Sequence, residues 1–213
     1  SSMLNLHSVI YDEEASFLEK LFGNMGNKTG CSVLDDYDKY YPEGKQVPIG
    51  FNVPIVYVNR KNETYDEENH VDIDDKMLEE YINQGYDILI KEGMYDLYNN
   101  LFEMNSPKIK QGSVDSFIGE EYKIYFSDSS EYFHINNEIL MLEVLGVDEN
   151  KLKCTFSTHW SIMPSEDDDE NRAAKAFLSY LLSQDVQRDI YKVSEALPIN
   201  DEALKNFGEV FDK

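Results

Sequence analysis

Helix-type and strand-type hydrophobic patterns alternate along most of this chain of 213 residues. Apolar residues within 172–182 recur at the i, i+3, i+4, i+7 spacing of an amphipathic helix. The run 54–58 is almost wholly apolar, which predicts a strand covered on both faces. Residues 122–126 and 152–163 also have strand-type patterns. Because helices and strands alternate rather than segregate, the chain predicts an α/β fold.

Shorter patterns predict the remaining elements. We expect a strand at 4–10, a short helix ending at Gly119, a helix capped by Asp74 or Asp75, and further helices at 12–22, 94–104, 136–145 and 201–210. Proline cannot donate to a strand ladder, so Pro54 predicts a strand that lies at an edge or begins there. Leu197-Pro198 is expected to end the helix before it.

The net charge excludes some partners. The chain carries 42 Asp and Glu against 19 Lys and Arg, a formal net charge of −23. Such a field repels phosphate backbones and anionic lipid surfaces. The nearest approach to a basic patch, Lys108 with Lys110, lies among neutral and acidic neighbours. We therefore expect no nucleic-acid partner. No apolar run approaches the ~20 residues of a membrane-spanning helix, so no such segment is expected.

Motifs for cofactor and metal chemistry are missing from the sequence. It has no glycine-rich phosphate loop and no GxSxG motif. Its histidines are never three or four residues apart, and the acidic runs 72–75 and 166–170 lack the spacing of a calcium loop. The sequence thus predicts no cofactor, no metal site and no enzyme activity. An enzyme that uses two carboxylates distant in sequence is the alternative.

Two cysteines, Cys31 and Cys154, lie far apart in the sequence and form no CxxC motif. They are either two buried thiols or one long-range disulfide of an exported protein, and spacing alone does not decide between these alternatives.

Polar and aromatic residues stand at the ends of three predicted strands. They are Tyr57 in the strand 54–58, then Ser127, Asp128 and Ser129 after 122–126, and Trp160 at the end of 152–160. In α/β folds the carboxyl ends of strands line the ligand crevice. The short polar groups can hydrogen-bond a polar solute, and the aromatic faces can contact the C–H surface of a sugar. The alternatives are an ordinary capping turn for the serines and a core position for Trp160.

The C-terminal part of the chain carries a recognisable motif. Residues 171–188, Asn-Arg-Ala-Ala-Lys-Ala-Phe-Leu-Ser-Tyr-Leu-Leu-Ser-Gln-Asp-Val-Gln-Arg, precede Glu195-Ala-Leu-Pro-Ile-Asn. This stretch resembles the "AA..F..FL.S...Q" helix pair and "G.LP.N" ending of extracellular solute-binding proteins of bacterial ABC importers, family 1. Residues 34–37 and 47–59 resemble the family's "LDDY … G.P … P.L.YN" stretch, and 117–126 its "F..G..AM" stretch.

The sequence also departs from that family. Its members are usually much longer, and the first strand and helix of their N-terminal lobe have no counterpart here. Glu195-Ala196 stands where a glycine usually precedes Leu-Pro, and Asp72 to Met77 replaces the usual "P.TW". The resemblance therefore implies a reduced or divergent member.

The resemblance implies a fold and a domain organisation. We expect periplasmic-binding-protein-like lobes of type II, reduced relative to the full family fold. We expect one compact unit over 1–213, a lobe crossover near 48–60, a second lobe mainly over 60–150, and C-terminal helices over 171–210.

The resemblance also implies a function. We expect the protein to bind a small polar solute, with a sugar as the first candidate, in an interlobe cleft. It would deliver that solute to an ABC permease. The protein is then a monomer that works outside the cell, with its signal and cell-surface lipoprotein anchor in a longer parent chain. The alternative is a binding-protein-like structural or interaction module of a surface protein with no small-molecule ligand.

Overall fold

The structure is a computed structural model that describes residues 2–12, 26–59, 75–102, 108–119, 122–135, 139–142 and 154–211. The chain divides into two compact units. We call the first the discontinuous unit, because it combines Ser1–Phe51 with Thr155–Lys213. The second, the continuous unit, is Asn52–Cys154. The predicted crossover near 48–60 and second lobe over 60–150 stay predictions.

The elements of the described part are short. In chain order they are α1 His7–Ile10, α2 Tyr37–Tyr40, β1 Val47–Asn52, β2 Pro54–Asn59, α3 Asp75–Asn83, β3 Ile88–Lys91, α4 Tyr95–Phe102, β4 Ile109–Gly112, α5 Val114–Ile118, β5 Ile124–Asp128, β6 Ile139–Leu142, β7 Thr155–Trp160, α6 Asp168–Leu181, α7 Gln184–Gln187, α8 Tyr191–Ser194, β8 Leu197–Pro198 and α9 Asp201–Phe211. Two 3-10 turns, Ser32–Leu34 and Ser129–His134, complete them.

The continuous unit is built on a five-stranded sheet with the order β4-β3-β5-β2-β6. β3 runs parallel to β4 and to β5, whereas β2 runs antiparallel to β5 and β6. One face of β2, β3 and β5 packs with α4 in a single apolar cluster of Val56, Val58, Ile88, Ile90, Met94, Tyr98, Ile124 and Phe126. Every residue of β2 except Asn59 is buried, which confirms the expectation of a strand covered on both faces.

The discontinuous unit is built on a three-stranded sheet with the order β7-β1-β8. β1 and β8 pair antiparallel, with Gly50 opposite Pro198. Helix α6 packs against α1, and α9 packs against α7 and β8. Burial of the apolar stripe of α6, with Leu178 at its centre, explains why the helix forms there.

Several predicted elements are confirmed. Helix α6 begins four residues before the predicted 172, because Asp167 caps it by accepting a hydrogen bond from the backbone N–H of Asp169 at 2.8 Å. Helices α3, α4, α5 and α9 lie where the sequence predicted them. Strand β2 begins at Pro54, as the proline predicted. The fold is α/β, as expected, and its strands form two sheets.

Two local predictions are wrong. Residues 4–10 contain helix α1 instead of a strand, because Asn5 Oδ1 accepts from the His7 N–H at 3.1 Å and starts a turn. Within the predicted helix 136–145, Ile139–Leu142 forms strand β6, since pairing with β2 outweighs the helical spacing. Leu197-Pro198 follows the end of helix α8, as predicted, and forms β8. Most of the predicted helix 12–22 lies outside the described residues.

Among the described residues, none of the helices combines the length and apolar character that a membrane crossing requires.

Candidate functional site

The parallel strands β3 and β5 end side by side at one edge of the sheet in the continuous unit. Lys91 is the last residue of β3, and Asp128 is the last residue of β5. Lys91 Nζ lies 3.0 Å from Asp128 Oδ1 and 3.2 Å from Glu131 Oε1. It also donates to Ser130 Oγ at 2.5 Å. We call these four residues the edge cluster.

The position of the edge cluster in the sheet follows from the topology. After β3 the chain continues to β4 on one side, and after β5 it continues to β6 on the other side, so the connections diverge between these two parallel strands. Crevices at such switch points are where open α/β sheets bind ligands. Lys91 keeps 26% of its side chain exposed, against 10% for Asp128 and 13% for Glu131. The cluster thus presents a charged surface at the place where the topology favours a site.

Asp128 organises the cluster. Its Oδ1 accepts from the Ser130 N–H at 3.0 Å and from the Ser130 hydroxyl at 2.5 Å, which caps the turn Ser129–His134. Strand β5 therefore extends through Ser127 and Asp128, which the sequence placed in the loop after the strand. The capping turn that the sequence left as an alternative is present.

The two neighbouring serines support the strand ends. Ser129 Oγ accepts from the Val53 N–H at 3.1 Å and lies 2.9 Å from Asn52 Oδ1. Ser127 is fully buried, and its carbonyl accepts a hydrogen bond from the Tyr98 hydroxyl. Both residues are thus part of the frame that holds Asp128 in place.

Tyr57 is fully buried beneath the edge cluster. Its hydroxyl donates to the carbonyl of Asp128 at 2.9 Å. Burial raises the pKa of Tyr57, and the charges of Asp128 and Glu131 raise it further. The phenol therefore stays protonated and positions Asp128, whereas the sequence predicted an exposed aromatic wall.

Sequence reasoning missed Lys91 and Glu131. A signal was present, because a lysine directly after the apolar run 88–90, followed closely by Gly93, marks a charged strand end. Its pairing with Asp128 joins residues 37 positions apart, and spacing does not show such a pair.

Trp160 lies in the discontinuous unit, at the end of β7. It is 40% exposed, and its ring centroid lies 5.9 Å from that of Phe177. The alternative of a core tryptophan is therefore wrong.

A concave region lies in the discontinuous unit. It is a cavity of about 430 Å³ lined by Met3, Tyr40, Tyr41, Pro42, Glu43, Gly44, Lys45, Gln46 and Ser161. The hydroxyl of Tyr41 lies 2.7 Å from His159 Nε2, and the rings of Tyr40 and Phe156 meet edge to face. The loop 41–46 forms one wall of the cavity. It is held by a hydrogen bond from the Leu6 N–H to the Gly44 carbonyl oxygen at 2.7 Å.

His159 gives this region a pH dependence. Burial lowers the pKa of His159, so the folded state favours the neutral ring. Its contribution to stability is complete above the unfolded pKa of ~6.5 and is lost as the pH falls below that value. We expect the free energy of unfolding to decrease between pH 7.5 and 5.5 in urea titrations, and His159→Gln to remove part of that decrease. Because His159 is only partly buried, that part is below about 1 kcal/mol. An identical pH profile for the variant would contradict this assignment.

The described ranges contain no group of three or more His, Cys, Asp or Glu side chains arranged to hold a metal ion. Cys31 and Cys154 are free thiols, of which Cys31 is buried, as in the first alternative, and Cys154 is only half-buried. Burial raises the pKa of Cys31 to about 12, which keeps it protonated.

The two sheets define a type II periplasmic-binding-protein-like fold, and solved structures show the same likeness. An ABC transporter protein from Clostridium perfringens has a TM-score of 0.50 and 15% identity, covering 92% of this chain and 65% of its own. Apo ferric ion-binding protein A from Pasteurella haemolytica has a TM-score of 0.51 and 12% identity, covering 78% and 61%. Apo FutA2 from Synechocystis has a TM-score of 0.50 and 16% identity, covering 78% and 63%.

The chain spans less than two thirds of the length of each of these three structures. At such identities the likeness shows the fold alone. No protein-family model matches the sequence, and no curated protein matches it either.

Proposed function

We propose that this chain binds a small polar solute at the edge cluster, as the receptor component of an ABC-type importer. The observation that carries the proposal is the pairing of Lys91 with Asp128 at the shared carboxyl edge of two parallel strands. The type II fold supports it, because the solved structures with this fold include proteins named for ABC transport or ferric ion binding.

The chemistry of the cluster suits a polyhydroxyl compound. Lys91 carries an ammonium donor, and Asp128 and Glu131 carry carboxylate acceptors; a bound solute would exchange its hydroxyls for their contacts with one another. Charge-assisted hydrogen bonds of this kind are about twice as strong as neutral ones. A sugar offers adjacent hydroxyls that both donate and accept, so it matches a mixed donor and acceptor surface. We propose sugars as the first solute class.

The same proposal includes the protein's partners and location. A receptor for solute import works outside the cytoplasm and delivers its ligand to a permease. We propose that this protein is extracellular and monomeric and that an ABC permease is its partner. Binding of this kind needs no covalent chemistry, which agrees with the expectation of a non-enzyme.

The test is a thermal-shift and calorimetric screen against sugars, amino acids, peptides and metal ions. A ligand at ~100 times its dissociation constant adds about 2.7 kcal/mol of stability. Lys91→Met removes the cationic donor and is expected to weaken solute binding by about tenfold to a hundredfold. Lys110→Met is the matched control, since Lys110 forms an exposed ion pair with Asp87 at 3.4 Å in the same unit.

Equal affinities of the Lys91 and Lys110 variants would place the solute away from the edge cluster. If no solute of any class shifts the melting temperature, the binding proposal fails and the interaction-module alternative takes its place.

A further inference from the structure

An aromatic surface lies exposed on the discontinuous unit. Trp160 and Phe177 are in contact, and Tyr180 follows Phe177 by three residues, one turn along α6. Phe177 is 48% exposed and Tyr180 59% exposed. Ala173 and Ala176, also exposed, lie beside them on the helix. We call these five residues the aromatic patch. Exposed aromatic side chains grouped in this way mark interaction sites on soluble proteins.

An acidic turn begins the same helix. Asp167 caps α6, and Asp168, Asp169 and Glu170 occupy its first turn. At a rise of 1.5 Å per residue, Asp169 lies roughly 12 Å along the axis from Phe177. The surface of α6 is therefore apolar toward one end and negatively charged toward the other.

This charge distribution decides what can cover the patch. A second copy of the chain would bring the same acidic turn and a further net charge of −23 to the contact. Anionic lipid surfaces and nucleic acids are repelled by the same field. A basic protein segment is attracted by it, both on approach and when bound.

We propose that the aromatic patch docks an amphipathic helix of a partner protein, with apolar anchors on the patch and Lys or Arg side chains over the acidic turn. Helices pack by setting the ridges of one into the grooves of the other, and the small Ala173 and Ala176 leave such a groove beside Phe177. An antiparallel partner helix places its own C-terminal end over the N-terminal turn of α6. Basic residues are favourable at that end of a helix, so the partner carries them in its last two turns.

The probe is a synthetic amphipathic helix of about 18 residues with Leu and Phe on one face and Lys in its last two turns. Titration calorimetry with the full chain is expected to show saturable binding that weakens as NaCl rises from 50 to 500 mM. Phe177→Ser and Tyr180→Ser are each expected to weaken binding about tenfold or more, because exposed aromatics at interface centres dominate affinity. Val193→Ser is the matched control, an exposed apolar residue of α8.

The charge part of the proposal has its own pair of variants. Asp169 lies four residues before Ala173, on the side of α6 that carries the patch, so Asp169→Asn is expected to weaken binding and to reduce its salt dependence. Glu202→Gln, which removes a first-turn acid from α9 instead, is expected to change neither. Circular dichroism and melting temperature confirm that each variant is folded.

The proposal would be overturned by absence of peptide binding, or by equal binding of a peptide with the same composition in scrambled order. Unchanged affinity in the Phe177 and Tyr180 variants would also overturn it. So would concentration-dependent dimers that depend on the patch in sedimentation experiments. Stronger binding to vesicles of anionic lipid than to the peptide would also contradict it.

Discussion

Gln187→Ala is expected to lower the free energy of unfolding of the discontinuous unit by about 3–4 kcal/mol. The Gln187 side chain is fully buried and satisfies three backbone groups at once. Its Nε2 donates to the carbonyls of Ile49 at 3.0 Å and Leu181 at 2.7 Å. Its Oε1 accepts from the N–H of Ile199 at 2.8 Å. Each group left unpaired in the interior costs about 1–3 kcal/mol.

These three bonds connect elements that are distant in sequence. They join strand β1, the end of helix α6 and the residue after β8, so one side chain ties the sheet to its covering helices. The measurement is urea unfolding followed by circular dichroism. Gln187→Glu keeps an acceptor for Ile199 and loses the amide donors, so its stability is expected to be low as well.

Gln184→Ala is the control for the loss of Gln187. Gln184 begins the same short helix α7, and its side chain is exposed. It is expected to change the unfolding free energy by less than about 0.5 kcal/mol. Similar losses in the two alanine variants would show that the buried network does not carry the stability assigned to it.

Gly44→Ala is expected to cost about 2–4 kcal/mol. Gly44 has a φ of +60°, a conformation that costs an L residue about 1 kcal/mol or more. A Cβ at this position would also lie 2.1 Å from Cε1 of His7. The ring cannot move away freely, because its Nε2 lies 2.7 Å from Asp38 Oδ1 and its Nδ1 lies 2.8 Å from Asn5 Oδ1. The substitution therefore breaks these contacts or strains the loop.

Gly93→Ala separates the two contributions. Gly93 has a φ of +82°, and a Cβ there would meet nothing within 4 Å. Its expected cost is the conformational part alone, about 1 kcal/mol. The melting temperatures of both variants are compared by calorimetry. An equal loss at the two positions would mean that the His7 ring moves without cost, although it contacts Asp38 and Asn5.

The residues that carried the family resemblance have structural roles. In the "S...Q" part of the motif, Gln187 is the buried residue that bridges β1, the end of α6 and the residue after β8. In the "LP.N" part, Asn200 donates to the carbonyl of Leu182 at 3.1 Å and accepts from the Ala203 N–H at 3.3 Å, where α9 begins. The motif thus identifies a fold because it contains the polar groups that this fold must satisfy. It carries no information on the solute.

The local periodicity of the sequence determined the α/β class, the position of strand β2 and the helices α3, α4, α6 and α9. These elements have apolar spacing or capping residues that act within a few positions, so the pattern is sufficient. The local pattern did not predict helix α1 or strand β6. A single Asn5 side chain starts the turn of α1, and pairing with β2 decides the structure of β6.

Only the tertiary structure determined which residues form the edge cluster and the aromatic patch. The sequence placed Ser127, Asp128 and Ser129 at a strand end, but their hydrogen-bond partners come from distant parts of the chain, as Lys91 and Val53 show. The sequence also left open whether Trp160 is buried. In the structure Trp160 packs against Phe177 on α6 and stays at the surface. Burial and pairing depend on which segments the fold brings together, and periodicity describes each segment only by itself.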